Sequence, residues 1–490
     1  MNATARALLT RVRRAARTGR LHEVRIAWCD LHGTLRGKTL VLDADASALA
    51  EALESGVGMV GTLLLKDTAD RTAFKVFEGE AAPLGLGAAA NVVLQPLPES
   101  FVELPWAPGT GWLRAMAFCG DGGADREPHP ADSRAALVRA TAALAARGHE
   151  LRCGLEVEFH IHRIVNAHDA AADAHAPAEP PEVALLHPGW GLLSEAWADR
   201  AAEPLALVRD TALALGLPLR SLEVELGPSQ FEAVFAPCEA LEAADRLVLF
   251  RSAVRQALRR RGFHASFCCK PPLPEAVASG WHVHQSVWKR SGRAVRNAFA
   301  PSRSDVSSPR PREATGLSTF GQHWLAGLLT HAAGMTALCA PTLPAYRRYA
   351  GSPMAPSRAC WGRDNRGAML RVLGSGRPGD AAARIENRLP EAQANPYLVL
   401  AAQIAAGLDG LDRMLDPPAA TDTPYAEGAP PLPTALDGAL GALRADPTMQ
   451  AALGAPLATV FDTVKRQELA RAAAAPDAAQ WERREYFGRF

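Results

Sequence analysis

The sequence predicts an α+β protein in two unequal parts: a small mixed unit over residues 1–120 and a larger unit of sheet and helices over residues 121–490. Three observations lead there. Residues 24–40 (VRIAWCDLHGTLRGKTL) read as strand, turn and strand, with the turn at His32-Gly33, and weak alternation with Gly and Pro punctuation follows to about residue 120. The stretch GDGGADREPHP (120–130) has the composition of a linker. Beyond it strands alternate with helices to about residue 400, before a Pro-rich loop at 416–433 and terminal helices.

The elements follow in order. Arg6, Arg11, Arg13, Arg14, Arg17 and Arg20 precede any acid, but Ser enrichment is lacking, so the N-terminus reads as a solvated basic helix rather than a transit peptide. Asp132 or Ser133 can cap a helix that carries Leu137, Ala140 and Leu144 on one stripe and stops at Gly148. The most apolar stretch, 325–343, is interrupted by His331 and Pro341, so no membrane span is expected. Lys and Arg (53) nearly cancel Asp and Glu (52), which disfavours a nucleic-acid partner bound through bulk charge. Eight scattered Cys without a CxxC pair argue against a disulfide framework or structural zinc site, and a cytoplasmic protein is expected.

The most informative stretch is LRCGLEVEFHIH (151–162). Its odd positions are apolar or small, while Glu156, Glu158, His160 and His162 share the other face of a strand, with side chains spaced roughly 7 Å apart. Carboxylates that close repel unless a cation sits between them. The competing reading is a solvated sheet face, which any one such strand permits. The pattern recurs, however. SLEVELGPSQFEAVF (221–235) folds back on itself and brings Glu225 near Glu232; WHVHQSVW (281–288) aligns His282, His284 and Ser286; RIENRL (384–389) aligns Arg384, Glu386 and Arg388. Four such segments describe a cleft lined by Glu and His, an oxygen-rich donor set suited to Mg²⁺ or Mn²⁺. Arg348, Arg366, Arg371, Arg384 and Arg388 form a cationic set for phosphate or carboxylate. His160 and His162 read as structural histidines. No P-loop, dinucleotide-binding or nucleophile-elbow motif occurs.

These segments resemble the glutamine synthetase family: GLEVEF (154–159), EVELGPSQFE (223–232), SGWHVHQS (279–286), WGRDNRGAMLR (361–371) and RIENRLPEAQANPYL (384–398), in order and at suitable spacing, with DLHGTLRGK (30–38) and LPW (104–106) before them. The resemblance implies a small N-terminal β-grasp-like domain and a C-terminal glutamine synthetase/guanido kinase-like catalytic domain with a curved antiparallel sheet. It also implies a homo-oligomer, a double ring that is usually a dodecamer, with active sites between subunits. By the same resemblance Glu158, Glu225 and Glu232 would hold one cation, and Glu156, His282 and Glu386 a second. His284, Ser286, Arg366, Arg371 and Arg384 would face ATP, with Arg366 and Arg371 acting on the transferring phosphoryl group. Arg348 and Arg388, with Glu158, would hold L-glutamate. Two or three Mg²⁺ or Mn²⁺ per site are implied, and no nucleic acid or membrane partner.

The departures from the family pattern are specific. Family members that use ammonia carry a flap of the form PGYEAP, and here Met354 stands in place of its Glu within Gly351-Ser352-Pro353-Met354-Ala355-Pro356. Val60, in VGTL (60–63), stands in place of the Asp of the DGSS segment, and Val277-Ala278 replaces a glutamate-binding Asn-Gly. An ammonium ion is captured by charge, whereas Val and Met offer an apolar, adaptable surface suited to an amine with a hydrocarbon or aromatic body. The expected activity is therefore an ATP-dependent ligase joining the γ-carboxylate of L-glutamate to an organic amine (aromatic amine, alkylamine or polyamine) through a γ-glutamyl phosphate. One alternative is an ammonia-using glutamine synthetase with a displaced flap acid such as Glu313. Another is an inactive assembly protein, which would have no need of six metal-ligand positions.

Overall fold

The computed structural model describes residues 1–120, 126–167, 177–291, 294–302, 315–351 and 354–490. Residues 121–125 of the expected linker, Ser352 and Pro353 of the flap stretch, and Glu313 lie outside these. The N-terminal residues form a mixed sheet from β1 (Glu23–Cys29), β2 (Leu35–Val41), β3 (Val57–Val60), β4 (Asn91–Pro96), β5 (Val102–Glu103) and β6 (Thr110–Phe118). Its order is β2-β1-β6-β4-β3, with β1 and β6 parallel. The hairpin approach is so close at Gly37 that a Cβ there would collide with the Ile26 carbonyl, so β2 requires Gly at this point.

The basic N-terminal helix spans Ala3–Arg17, capped by Asn2, with Leu8, Leu9 and Val12 buried and the arginines outside. Arg17 pairs with Asp45 at 2.6 Å, and Arg20 with Glu103 at 2.7 Å. The second half of the expected linker is pinned rather than free. Cys119 N–H donates to the Glu127 carbonyl, Phe118 bridges Pro128, and His129 N–H donates to Ala117. Asp132 is the cap of the following helix, Ser133–Ala145, accepting from Ala135 N–H at 2.8 Å. The same carboxyl accepts from Trp28 Nε1 on β1 at 2.6 Å and from Ala117 N–H, so the cap also ties the two sheets' supporting layers together.

The larger sheet contains β7 (His149–Asn166), β8 (Glu182–Leu185), β9 (Leu219–Val224), β10 (Gln230–Phe235), β11 (Cys238–Glu239), β12 (Phe263–Ser266), β13 (Trp281–Ser291), β14 (Ala294–Asn297), β15 (Trp361–Arg363), β16 (Leu370–Leu373) and β17 (Arg384–Asn387). Its spine runs β15-β16-β17-β13-β7-β10-β9, antiparallel except for the parallel pair β15–β16. The long strand β7 is the organiser. Its odd residues Leu151, Cys153, Leu155, Val157, Phe159 and Ile161 are buried. They pack against the helix Ala240–Arg259, whose Phe250 meets Phe159 edge-on at 6.0 Å. The even face of β7 is thereby turned toward the cleft.

Behind the sheet, the helices Thr319–Thr330 and Ala332–Cys339 meet at His331, and no helix among the described residues is long and apolar enough to cross a membrane. His331 bridges Asp446 (2.7 Å) and Asp409 (2.9 Å), clamping three helices. Burial alone would lower its pKa, but the two carboxylates outweigh burial and raise it. A raised folded-state pKa stabilises the fold fully below about pH 6.5, and that contribution is lost as pH rises through the folded value. The melting temperature of the wild type should therefore fall by about 2 °C more than that of His331→Gln between pH 6 and pH 9. Parallel pH profiles for the two proteins would contradict the clamp.

Candidate active site

Strand register places the chemistry. In an antiparallel pair, directly opposed residues present side chains on the same face. Glu156 of β7 lies opposite His282 of β13, and Glu158 opposite Glu232 of β10. His284 lies opposite Glu386 of β17, which in turn faces Arg371 of β16. The row continues to Glu223 of β9, opposite Glu232, and Glu225 follows it just before the turn.

Ligand atoms of Glu158, Glu225 and Glu232 all lie within 4.8 Å of one another, as do those of Glu156, Glu232 and His282, and those of Glu156, His284 and Glu386. The residues expected as one group, Glu156, His282 and Glu386, are close but less compact: His282 Nδ1 stands 3.5 Å from Glu156 and 3.9 Å from Glu386. His284 takes the nearer place because its Nε2 lies 2.9 Å from Glu156. Its Nδ1 meanwhile accepts from Arg384 Nε at 3.1 Å, and an arginine can only donate. The proton of a neutral His284 therefore sits on Nε2, which leaves His282 as the imidazole with a free lone pair. Burial, with Arg388 nearby, lowers the pKa of His282.

The electrostatics record the crowding. Burial pushes Glu232 up to about 10, with Glu158, Glu156, Glu225 and Glu223 adding repulsion. Burial and Glu158 push Glu225 up to about 7. Burial also opposes charge on Glu156, but His282 and His284 overcome it and hold that carboxyl well below the usual range. Glu386 is fully buried and is likewise held low, because His282, Arg388, His284 and Arg371 outweigh its desolvation. Acids gathered this tightly with a neutral imidazole fit a divalent cation with oxygen preference.

Neighbouring groups fix the carboxylates. Glu158 Oε2 accepts from Gly280 N–H (2.8 Å) and from Gln230 Nε2 (3.3 Å). Gln230 also reaches the Ala278 carbonyl and Ser279, and it accepts from Gly227 N–H, so one buried amide ties the β9–β10 turn to the 278–280 loop. Gly280 is required by space: a Cβ would lie 2.6 Å from Arg348 and 3.1 Å from His282. Arg371 bonds Glu386 and Asp364, each at 2.9 Å, and Arg388 bonds the other oxygen of Glu386. Arg348 donates to the carbonyls of Arg388, Leu389 and Pro390, which leaves two of its five N–H bonds free.

Beside Glu156 and His284 opens a slot of about 330 Å³ lined in part by Arg152, Ser286, Trp288, Ala382 and Arg384. Ser286 accepts from Trp288 Nε1, and Arg152 stacks over the Trp288 ring at 4.6 Å. Arg366 is exposed and is not drawn into the cluster. Val60, at the end of β3 in the other sheet, is 43% exposed, and Met354 is 49% exposed. His160 and His162 are buried, stacked on each other at 5.9 Å, with the Phe487 ring against His162.

Sequence reasoning missed Gln230, Asp364, Arg152, Trp288 and Trp190. Trp190 is 69% exposed with φ +56°, a strained backbone for an aromatic residue. Its N–H donates to the carbonyl of Leu226, the residue after Glu225, at 2.8 Å. The flanking glycines of GWG (189–191) were the available signal.

Comparison with known proteins gives the affiliation. A family profile described as "Glutamine synthetase, catalytic domain" matches residues 130–486. The chain belongs to the glutamine synthetase family. Among relatives in this family, a gamma-glutamylanilide synthase of an Acinetobacter species is 36% identical over 486 residues, covering 95% of this chain and 93% of that protein. A glutamine synthetase of Thermococcus kodakarensis is 30% identical over 458 residues, covering 90% and 88%. Among solved structures, a GmaS/ADP complex aligns with a TM-score of 0.73 at 29% identity, covering 96% of this chain and 98% of that one. Glutamine synthetase family membership thus spans both sheets.

Proposed function

We propose that this protein is an ATP-dependent ligase that joins the γ-carboxylate of L-glutamate to an organic amine, with an aromatic amine preferred. The observation that carries it is the Glu158–Glu225–Glu232 triad meeting Glu156 and His282 through the shared Glu232. The relationship to a gamma-glutamylanilide synthase supports the amine class.

Glu158, Glu225 and Glu232 would hold one Mg²⁺ or Mn²⁺, and Glu156, Glu386 and the neutral His282 a second. Such ions, when bound, offset the charge that builds on the phosphates and the glutamate carboxylate during phosphoryl transfer. Arg371, Arg384 and Arg366 supply donors to the nucleotide phosphates. Ser286, Trp288 and Arg152 shape the slot for its base. The two free N–H bonds of Arg348, with Arg388, address the glutamate carboxylate. Glu158 is held by Gly280 and Gln230, so its position is fixed before substrate arrives. A γ-carboxylate oxygen attacks the γ-phosphorus of ATP and ADP leaves, giving the acyl phosphate; the amine nitrogen then attacks the acyl carbon, phosphate leaves, and the proton from nitrogen passes to water.

An aromatic amine is neutral at pH 7, so Val60 and Met354 in place of acids cost it nothing, whereas ammonium loses its anionic anchor. Exposed Trp190, held by its backbone N–H on the Leu226 carbonyl, is a candidate apolar surface for the amine. The residues 1–120 and 121–490 are read as two domains, and exposed Val60 as a surface offered to a neighbouring copy in a ring.

The test is phosphate release with ATP and glutamate fixed, across ammonium, methylamine, isopropylamine, ethanolamine, putrescine, spermidine and aniline. Aniline should give the highest kcat/KM, with ammonium lower by about 100-fold. Highest kcat/KM with ammonium would overturn the amine reading, and no metal-dependent turnover with any amine would overturn the ligase reading.

A further inference from the structure

The helix Ala240–Arg259 packs on the odd face of β7, opposite the carboxylates. With β12, the β1–β2 turn and the C-terminal residues it lines an open-sided cavity of about 730 Å³ that contains none of the residues assigned above to metal, nucleotide or glutamate. Six arginines line it: Arg251, Arg255, Arg259, Arg260, Arg484 and Arg489. Among the described lining residues Glu179 is the one acidic side chain, and Arg484 pairs with it.

Arg251 is only 6% exposed. One nitrogen donates to the Ala394 carbonyl at 2.8 Å, while Nε and Nη2 have no partner. Arg255 reaches the Gly488 carbonyl at 3.4 Å. Burial pushes Arg251 down to about 9 and Arg255 down to about 10, the latter also repelled by Arg489. His264 adds no charge, since burial takes it down to about 3. A buried guanidinium with unpartnered N–H groups, as at Arg251, is expensive, and its donor fork matches phosphate and carboxylate oxygens; Arg489 is partly balanced by Glu485, Asp30 and Asp70.

We propose that this cavity binds a small polyanion, a compound bearing two or more phosphate or carboxylate groups, held by Arg251, Arg255 and Arg489. The site is independent of the ligase reading, and its test uses no ATP, glutamate, amine or divalent metal. The full-length protein is titrated calorimetrically with pyrophosphate and, separately, citrate, in EDTA at matched ionic strength. Saturable binding of at least one anion is expected, with a dissociation constant below about 1 mM. Stronger binding of pyrophosphate assigns phosphate, and stronger binding of citrate assigns carboxylate. Arg255→Gln and Arg489→Gln should each weaken it by about tenfold. Arg489 lies in the C-terminal turn, outside the helix that carries Arg255, so its variant gives a separate reading if Arg255→Gln fails to fold. Absence of saturable binding by the wild type up to about 10 mM overturns the proposal, as does equal affinity in Arg489→Gln. A second copy of the chain filling the cavity would give the first of these results.

Discussion

Glu232→Gln should lower metal-dependent phosphate release by about 10³-fold while leaving the metal-free protein as stable as the wild type. The two halves of this result have one cause. Without a cation Glu232 holds its proton, because burial and four neighbouring carboxylates push its pKa up to about 10. A neutral acid and an amide are near-isosteres, so the metal-free melting temperatures should match. Mg²⁺ or Mn²⁺ held by Glu158, Glu225 and Glu232 would require the Glu232 proton to leave in the wild type, which Gln cannot reproduce. The wild type should therefore gain several degrees in Tm with metal, and the variant almost none. Metal affinity should rise between pH 6 and pH 8, since Glu225, pushed up to about 7, gives up its proton across that window. A Glu232→Gln protein that keeps its metal-induced shift would remove Glu232 from the cation site.

Val60→Asp combined with Met354→Glu should raise kcat/KM for ammonium by about tenfold or more and lower it for aniline. Each substitution places an anion where the chain now has an exposed apolar side chain, and neither position is packed in the core. An ammonium ion gains a counter-charge that offsets its dehydration, while an aromatic ring loses an apolar neighbour. Competition between ammonium and aniline for one limiting pool of ATP measures the switch directly. Unchanged ratios would place Val60 and Met354 away from the amine.

The carboxylate rows were legible in the sequence because a strand has period two, and β7 alternates strictly from Leu151 to His162. The pairing of Glu225 with Glu232 followed from the Gly-Pro turn between them. The supporting groups were not legible. Gln230 and Asp364 act across loops whose closure joins residues far apart in the chain, and no local periodicity reports such contacts. His160 and His162 share the parity of Glu156 and Glu158 but differ in surroundings: β12 and the C-terminal Phe487 cover one pair and leave the other open. Parity gives the face and tertiary packing decides what covers it. The parallel pairing of β15 with β16 was hidden for the same reason, since strand direction depends on the connection.

The layer behind the sheet has a consequence of its own. Gln403 on the helix Pro396–Asp412 accepts from Gln285 of β13 at 2.8 Å and from Asn387 of β17 at 2.9 Å. Trp324 donates to Gln285, and its ring fills the space where a side chain at Gly407 would go. The strands that carry His282, His284 and Glu386 are thus bolted from the rear to two helices in backbone contact. Retargeting this scaffold to new nucleophiles should accordingly tolerate changes at exposed positions such as Trp190 and Met354, whereas randomising the rear layer should yield mostly unfolded chains.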